Sequence, residues 1–213
     1  MCLEAVHRLQ HEQVRGEGTF PGALMADALR KLFDECSSDG TCWNPTEDDI
    51  YTCVGDVLGK MQKMEALLKT TDEPARVLPP LSSWEEHGWD DDDVSSGIGF
   101  SPERAAELLD THGPCVGILW TCSWYRYFDA GRDDTLVYRG CGGGDEEMEL
   151  STELYGEDEV GWHVAVCIAY RFCGDEMHVL VRDNQDAGAN GPQRWINVED
   201  LDRLFTLSVE PLH

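Results

Sequence analysis

The feature that most constrains this chain is a change in the spacing of its apolar residues at Gly113-Pro114. Before this dipeptide, apolar side chains recur at three- and four-residue steps, which is the period of an amphipathic helix. After it, short β-branched or aromatic runs alternate with Gly, Asp and Asn, which is typical of strands. The sequence therefore predicts an α+β protein, with helices between about residues 20 and 110 and a mostly antiparallel sheet over residues 114–209.

Three helices are predicted before Gly113. One, Leu24–Phe33, lies in an N-terminal arm over residues 1–44. The longest extends through a helical lobe to about Thr70, and a short one opens at Ser101-Pro102-Glu103 and runs to Leu109. The start of the longest helix has two alternatives: Asn44 as N-cap with Pro45 in the first turn, or Thr52 as N-cap of a helix beginning at Cys53.

An irregular segment is expected over residues 72–100, because prolines and a Ser-Ser-Gly sequence interrupt any period. Together with the long and the short helix, this segment makes up the region 45–110, which is predicted to be a helical lobe with an acidic loop. Its run Asp90–Asp93 lacks the alternating order of a calcium loop, so we expect a solvated acidic surface and no metal site.

The region 111–213 is predicted to be the β lobe. Its strand-like runs are Val116–Trp120, Leu136–Tyr138, Trp162–Phe172, Met177–Arg182 and Arg194–Val198. The third and fourth runs are separated by Gly174-Asp175 and predict an antiparallel hairpin.

The charge restricts the partners of the chain. Forty-two acidic residues against 16 basic ones give a formal net charge of −26, which repels phosphate backbones and anionic lipid. We therefore expect neither nucleic acid nor a membrane surface as a partner, and no cofactor is indicated. The sequence shows no signal peptide, no membrane span and no C-x-x-C among its nine cysteines, so we expect a cytoplasmic protein. A processed secreted or vacuolar form is the alternative.

Two polar residues of the hairpin are candidates for catalysis. His163 lies near the start of one strand and Asn184 follows the end of the next, so antiparallel pairing brings them to the same end of the sheet. A Cys-His-Asn set uses such a pair: the histidine takes the thiol proton, and the amide orients the imidazole.

Four segments between residues 105 and 205 carry motifs in a familiar order. They are Ala105-Ala106-Glu107-Leu108-Leu109 with Gly113-Pro114-Cys115-Val116-Gly117-Ile118, Ser123-Trp124-Tyr125-Arg126-Tyr127-Phe128 with Leu136-Val137-Tyr138, Trp162-His163-Val164-Ala165-Val166 with Ala169-Tyr170, and Arg182-Asp183-Asn184-Gln185 with Arg194-Trp195-Ile196. In this order they resemble the papain-like cysteine proteases. The resemblance implies one papain-like domain with a cleft between a helical lobe and a β lobe, and a peptidase without cofactors that uses a Cys-His-Asn site.

The nucleophile has two candidates. Gly40-Thr41-Cys42-Trp43 resembles the family's G-S-C-W, but no apolar helix follows it directly. Cys53 begins the apolar helix, and the residues before it are similar to the approach seen in plant relatives. We favour Cys53, because a helix N-terminus would lower the pKa of its thiol and His163 would stabilise the thiolate.

Two departures from the family's pattern argue against full activity. Glu47, Asp48 and Asp49 occupy the stretch where an oxyanion-hole glutamine is expected, and Asp186 replaces a tryptophan after Asn184. A missing oxyanion donor typically costs about 10² to 10³ in rate. The alternative function is therefore a catalytically inactive papain-fold binding or decoy protein, and a third interpretation is an unrelated acidic α+β protein.

Acidic runs in or beside loops predict a preference for basic peptides. These runs are Asp90–Asp93, Asp145–Glu147 and Glu157–Glu159. A negative potential at a cleft would attract Lys- or Arg-rich substrates or partners, whereas the alternative is that the charge only keeps the surface solvated.

Overall fold

The structure is a computed structural model that describes residues 8, 10–13, 15, 16, 18, 50–68, 81–88, 101–121, 125, 136–140, 161–182 and 193–209. Within 50–68 the side chains of residues 54–63 are described, and at residue 209 the backbone alone. The chain divides into two compact units. The sheet unit comprises Met1–Val6 and Glu86–Thr206, and the helix unit comprises His7–Glu85 and Leu207–His213. No helix among the described residues has the length and hydropathy needed to cross a bilayer.

Seven strands of the described chain form one sheet. They are β1 (Leu81–His87), β2 (Cys115–Thr121), β3 (Val137–Tyr138), β4 (Gly161–Cys173), β5 (Glu176–Arg182), β6 (Gln193–Asn197) and β7 (Leu201–Val209). Their order is β1-β7-β2-β4-β5-β6-β3. The pairs β2–β4, β2–β7, β4–β5 and β5–β6 are antiparallel, whereas β3 runs parallel to β6. The predicted α+β class is therefore confirmed, and the five predicted strands are all present.

The hairpin between β4 and β5 forms at the predicted turn. Gly174 and Asp175 are the only residues between the two strands, and Gly174 has φ of +66°. A positive φ suits glycine because it has no Cβ, so this residue permits the tight connection. A register shift between Cys167 and Ala169 inserts a bulge into β4.

The helix α2 (Pro102–His112) covers the core of the sheet unit. The Ser101 side chain accepts a hydrogen bond from the Arg104 N–H, Pro102 occupies the first turn, and the Gly113 N–H bonds to the Leu109 carbonyl oxygen. These are the predicted start and stop signals, although the helix continues three residues beyond Leu109. Its buried residues join alternate residues of the strands in one apolar cluster, which includes Ala105, Leu108, Leu109, Leu119, Ala165, Met177, Val179, Val181 and Ile196.

The helix unit contains α1 (Ile50–Leu68), which is the long predicted helix. Its Leu58 and Met61 are buried, and the Cα of Gly55 faces the Trp84 ring so closely that a Cβ would lie 3.2 Å from it. Gln62 Nε2 donates to the Ser82 carbonyl oxygen at 2.7 Å, which ties α1 to β1.

Two sequence predictions need correction. Thr52 is already the third residue of α1, so it is not the N-cap of a helix beginning at Cys53. Residues 81–87 form the strand β1, although 72–100 was expected to be irregular and the sheet to begin at 114. The reason is that Leu81 is buried and Trp84 half-buried with two exposed residues between them, so this strand has no two-residue alternation. The predicted helix at Leu24–Phe33 and the alternative start at Pro45 lie outside the described residues.

Candidate functional site

His163 is the predicted catalytic residue whose surroundings the structure describes. It is the third residue of β4 and is half-buried. Cys53 is the fourth residue of α1, but its side chain lies outside the described part of the chain. Cys42 and Asn184 lie outside it entirely. The approach of Cys53 or Cys42 to His163, and the hydrogen bond from Asn184, therefore stay predictions.

One end of the sheet, here called the His163 end, is where β2 finishes at Thr121, β4 begins at Gly161, β5 finishes at Arg182 and β6 begins at Gln193. The Thr121 hydroxyl donates to the Gly161 carbonyl oxygen at 3.0 Å and ties the ends of β2 and β4 together. Catalytic and binding residues are commonly positioned by a rigid scaffold, and the ends of these strands supply one.

The register of β4 on β5 agrees with the predicted juxtaposition of a strand start and a strand end. Val166 pairs with Arg182, and this is the last described pair on the side of His163. Asn184 follows two residues after Arg182 in the sequence. The strand that begins near His163 therefore runs beside the strand that ends just before Asn184.

The ring of Tyr125 packs against the ring of His163. Their centroids are 5.2 Å apart and the planes are inclined by 50°. Tyr125 is only 2% exposed, so one side of the imidazole meets a buried aromatic surface. Aromatic pairs at this separation are attractive, and the contact limits rotation of the imidazole about its Cβ–Cγ bond.

Arg194 of β6 holds Tyr125 by two contacts. Its Nη1 donates to the Tyr125 carbonyl oxygen at 2.6 Å, and its Cζ lies 4.4 Å from the centroid of the Tyr125 ring. Arg194 is buried, so both the charged hydrogen bond and the cation–π contact operate away from bulk water. A residue from a connecting segment is thus fastened to the rigid sheet.

Tyr138 supports Tyr125 on another side. The two rings meet nearly at right angles with centroids 4.9 Å apart, and Tyr138 is fully buried. A Cβ added to Gly140 would lie 2.8 Å from the Tyr138 hydroxyl and 2.9 Å from Asp200 Oδ1, so only glycine fits between them. The Gly140 N–H donates to Asp200 Oδ2 at 2.9 Å. An aromatic row therefore runs from His163 through Tyr125 to Tyr138, and Tyr138 is fixed in turn beside a buried carboxylate.

Two tryptophans lie next to this row in the sheet. Trp120 pairs with Trp162 across β2 and β4, and their rings meet edge to face at 4.2 Å. Trp162 directly precedes His163 in β4, and Trp120 is the cross-strand partner of Trp162 in β2. They stiffen the strand from which His163 projects, because aromatic cross-strand pairs stabilise sheets.

The described cysteines are poor candidates for a nucleophile. Cys115 and Cys167 are fully buried, and burial raises the pKa of the Cys115 thiol from 9.0 to about 12. Cys173 is exposed but lies ten residues beyond His163 on β4, roughly 30 Å away at the rise of a strand. These three are the free thiols among the described residues, and Cys42 and Cys53 stay the candidates that the sequence motifs predict.

Sequence reasoning missed the contact of Tyr125 with His163 and the contacts of Arg194 with Tyr125. Tyr125 and Arg194 both belong to the sequence motifs considered above, Ser123–Phe128 and Arg194–Ile196, but no role at the site was predicted for either residue. They lie 38 and 31 residues from His163 in the sequence, and no local pattern signals a contact over such a separation. A cluster of aromatic residues around 124–128 was the one available signal.

In a comparison with known proteins, no family model matches the chain, and no curated protein matches it.

Proposed function

We propose that this protein is a cysteine-type peptidase in which Cys53 is the nucleophile, His163 the general base and acid, and Asn184 the residue that orients His163. The observation that carries the proposal is the position of a half-buried histidine at the start of β4, beside a strand whose end leads to Asn184. A general base must reach its proton and also be held in one orientation, and the Tyr125 ring that packs against His163 supports the second requirement.

The position of Cys53 in the helix supports its role as the nucleophile. A nucleophile needs an accessible thiol with thiolate character, and neither the buried Cys115 nor the buried Cys167 meets this requirement. Cys53 stands in the first turn of a 19-residue helix, where the partial positive charge of the helix N-terminus favours a thiolate. Cys42 remains the alternative nucleophile.

The reaction follows from these roles. His163 accepts the thiol proton, and the sulfur of Cys53 attacks the carbonyl carbon of the peptide bond. The imidazolium then gives its proton to the departing amine, and a thioester remains on Cys53. Water attacks the thioester while His163 accepts a proton from it, which releases the carboxylic acid and restores the thiol.

The substrate proposed for this site is a basic peptide or protein. The net charge of −26 gives the whole molecule a field that attracts Lys- and Arg-rich chains. Carboxylates at Glu47, Asp48 and Asp49 would oppose a developing oxyanion, so we expect slow turnover compared with an enzyme that has a complete oxyanion hole.

The proposal is tested by covalent labelling with a peptidyl epoxide, which reacts with an activated thiol held beside an imidazole. The wild-type protein should acquire one adduct, on the peptide that contains Cys53, and the Cys53→Ala and His163→Ala variants should lose it. Cys173→Ala is the matched control, because Cys173 is exposed and far from His163 along β4. Intact mass followed by peptide mapping identifies the modified cysteine.

Three other outcomes of this experiment decide against the proposal or its details. An adduct on Cys42 assigns the nucleophile to that residue. No adduct, in protein whose exposed Cys173 still reacts with iodoacetamide, contradicts the peptidase and favours an inactive papain-fold binding or decoy protein. An adduct that persists in His163→Ala removes the histidine from the mechanism.

A further inference from the structure

Tyr125 lies outside the predicted Cys-His-Asn set, and its ring packs against the ring of His163. The two rings are 5.2 Å apart between centroids and inclined by 50°. An imidazole ring can rotate about its Cβ–Cγ bond, and a half-turn exchanges the positions of its two nitrogens. A ring packed against the imidazole at this distance opposes this rotation, whatever hydrogen bonds the nitrogens make.

Tyr125 can oppose this rotation only if it is itself immobile, and three contacts hold it. Arg194 Nη1 bonds to its carbonyl oxygen at 2.6 Å, the Arg194 guanidinium covers its ring at 4.4 Å, and the Tyr138 ring meets it at 4.9 Å. The first contact fixes the backbone and the other two fix the ring. All three residues are buried, so solvent does not compete for these contacts.

We infer that Tyr125, clamped by Arg194, is a positioning residue that sets the plane of the His163 imidazole and shields one of its faces from water. The inference rests on the proposed function, since it assigns the means by which the general base is held. Tyr125 contacts His163 through its ring, so the ring and not the hydroxyl carries the role. A positioning residue lowers the rate when removed, because misplacement by about 1 Å costs on the order of 10² in rate.

Ordinary core packing would also bury Tyr125, and it makes a different prediction. Removing a packing residue lowers stability but leaves the geometry of His163 unchanged in the molecules that remain folded. Removing a positioning residue changes the state of the imidazole itself. The ring nitrogens of His163 therefore report the difference, because their ¹⁵N shifts and couplings depend on tautomer and on exchange between orientations.

The experiment compares wild type with Tyr125→Leu, Tyr125→Phe and Tyr170→Leu. Tyr170 is the matched control: it lies on β4, packs beside the same core cluster, and its ring contacts Phe172. Long-range ¹H–¹⁵N spectra at pH 8, with His163→Gln used for assignment, give the tautomer. Hydrolysis of a fluorogenic Lys-containing peptide gives kcat and KM separately.

We expect Tyr125→Leu to replace one set of His163 ring signals by averaged or doubled signals, and to lower kcat roughly 10- to 100-fold with KM within about twofold. Tyr125→Phe should restore the single set of signals and most of kcat, and Tyr170→Leu should resemble wild type. Wild-type His163 signals in a folded Tyr125→Leu protein would overturn the inference, and so would a Phe variant that behaves like Leu.

A second variant keeps the test decisive if Tyr125→Leu does not fold. Arg194→Lys leaves Tyr125 in place but removes the planar guanidinium from its ring, and we expect intermediate averaging of the His163 signals. Unchanged signals in Arg194→Lys would then overturn the clamp. Failure of the proposed function would be distinguishable from failure of this inference. A wild-type protein that hydrolyses no peptide would contradict the proposed peptidase activity. The ring spectra of His163 would still decide whether Tyr125 positions the imidazole.

Discussion

Arg194 Nη1 donates a hydrogen bond to the carbonyl oxygen of Tyr125 at 2.6 Å, across 69 residues of sequence. This contact joins β6, the strand next to the edge strand β3, to the segment that supplies the aromatic neighbour of His163. The bond is charge-assisted and buried, so it is stronger than an ordinary hydrogen bond between neutral groups. It explains how a residue outside the strands comes to have a fixed ring.

Replacing Arg194 by Met should therefore destabilise the fold. The carbonyl oxygen of Tyr125 would lose this buried donor, at a cost of about 1–3 kcal/mol in the free energy of unfolding. Arg171→Met is the matched control: the Arg171 guanidinium stacks on Trp195 at 4.1 Å, and loss of that contact should cost about 0.5–1 kcal/mol. Urea unfolding measures both, and equal losses would show that the Tyr125 bond adds nothing.

A side chain at Gly117 should lower the stability of the folded protein. A Cβ at this position of β2 would lie 2.6 Å from Cys167 Sγ and 3.0 Å from Leu201 Cδ1, and both neighbours are fully buried. We expect Gly117→Ala to lower the free energy of unfolding by about 1–3 kcal/mol through overpacking. Gly161→Ala is the control, because a Cβ there meets no atom within 4 Å. Combining Gly117→Ala with Cys167→Ala should recover part of the loss, and no recovery would contradict the clash with Cys167.

The stability of the protein should fall in alkaline solution because of Cys115. Burial raises the pKa of its thiol from 9.0 to about 12, so the folded protein keeps a proton that the unfolded chain releases. Stability is complete below pH 9 and is lost as pH rises from 9 towards 12, by at most about 4 kcal/mol. Urea unfolding of wild type and Cys115→Ala at pH 8 to 11 measures this, and an equally steep fall in the variant would assign the loss to other groups.

Association with basic peptides should depend on salt. Using Cys53→Ala protein to prevent cleavage, the association rate of a Lys-rich peptide should fall at least about tenfold between roughly 0.05 and 0.5 M salt, because screening shortens the range of the field. An acidic peptide of the same length is the control and should bind more weakly at low salt. A rate that does not change with salt would show that the net charge of −26 serves only solubility.

The sequence predicted correctly those helix ends and turns that depend on residues close together in the chain. The cap at Ser101, the stop at Gly113 and the turn at Gly174 were all readable, because each depends on residues within a few positions of one another. The strand β1 was not readable, since its burial follows contacts with a helix and a distant strand and leaves no alternation in the sequence.

The candidate site was predictable only in part, for the same physical reason. The hairpin predicted that the start of β4 lies near the end of β5, and Arg182 at the end of β5 pairs with Val166, three residues after His163. The packing of His163 on Tyr125, and of Tyr125 under Arg194, depends on side chains brought together by the whole sheet. Such contacts follow from tertiary packing, which the spacing of residues along the chain does not encode.

The central claim is that Cys53 and His163 together hydrolyse peptide bonds, and peptide turnover by single-residue variants tests it most directly. We expect wild type to cleave a fluorogenic Lys-containing peptide, and Cys53→Ala and His163→Ala each to lose at least about 10³ in kcat/KM, because either partner alone is ineffective. Cys173→Ala should keep the wild-type value. Equal turnover by wild type and Cys53→Ala, or no turnover by any of the four proteins, would contradict the account.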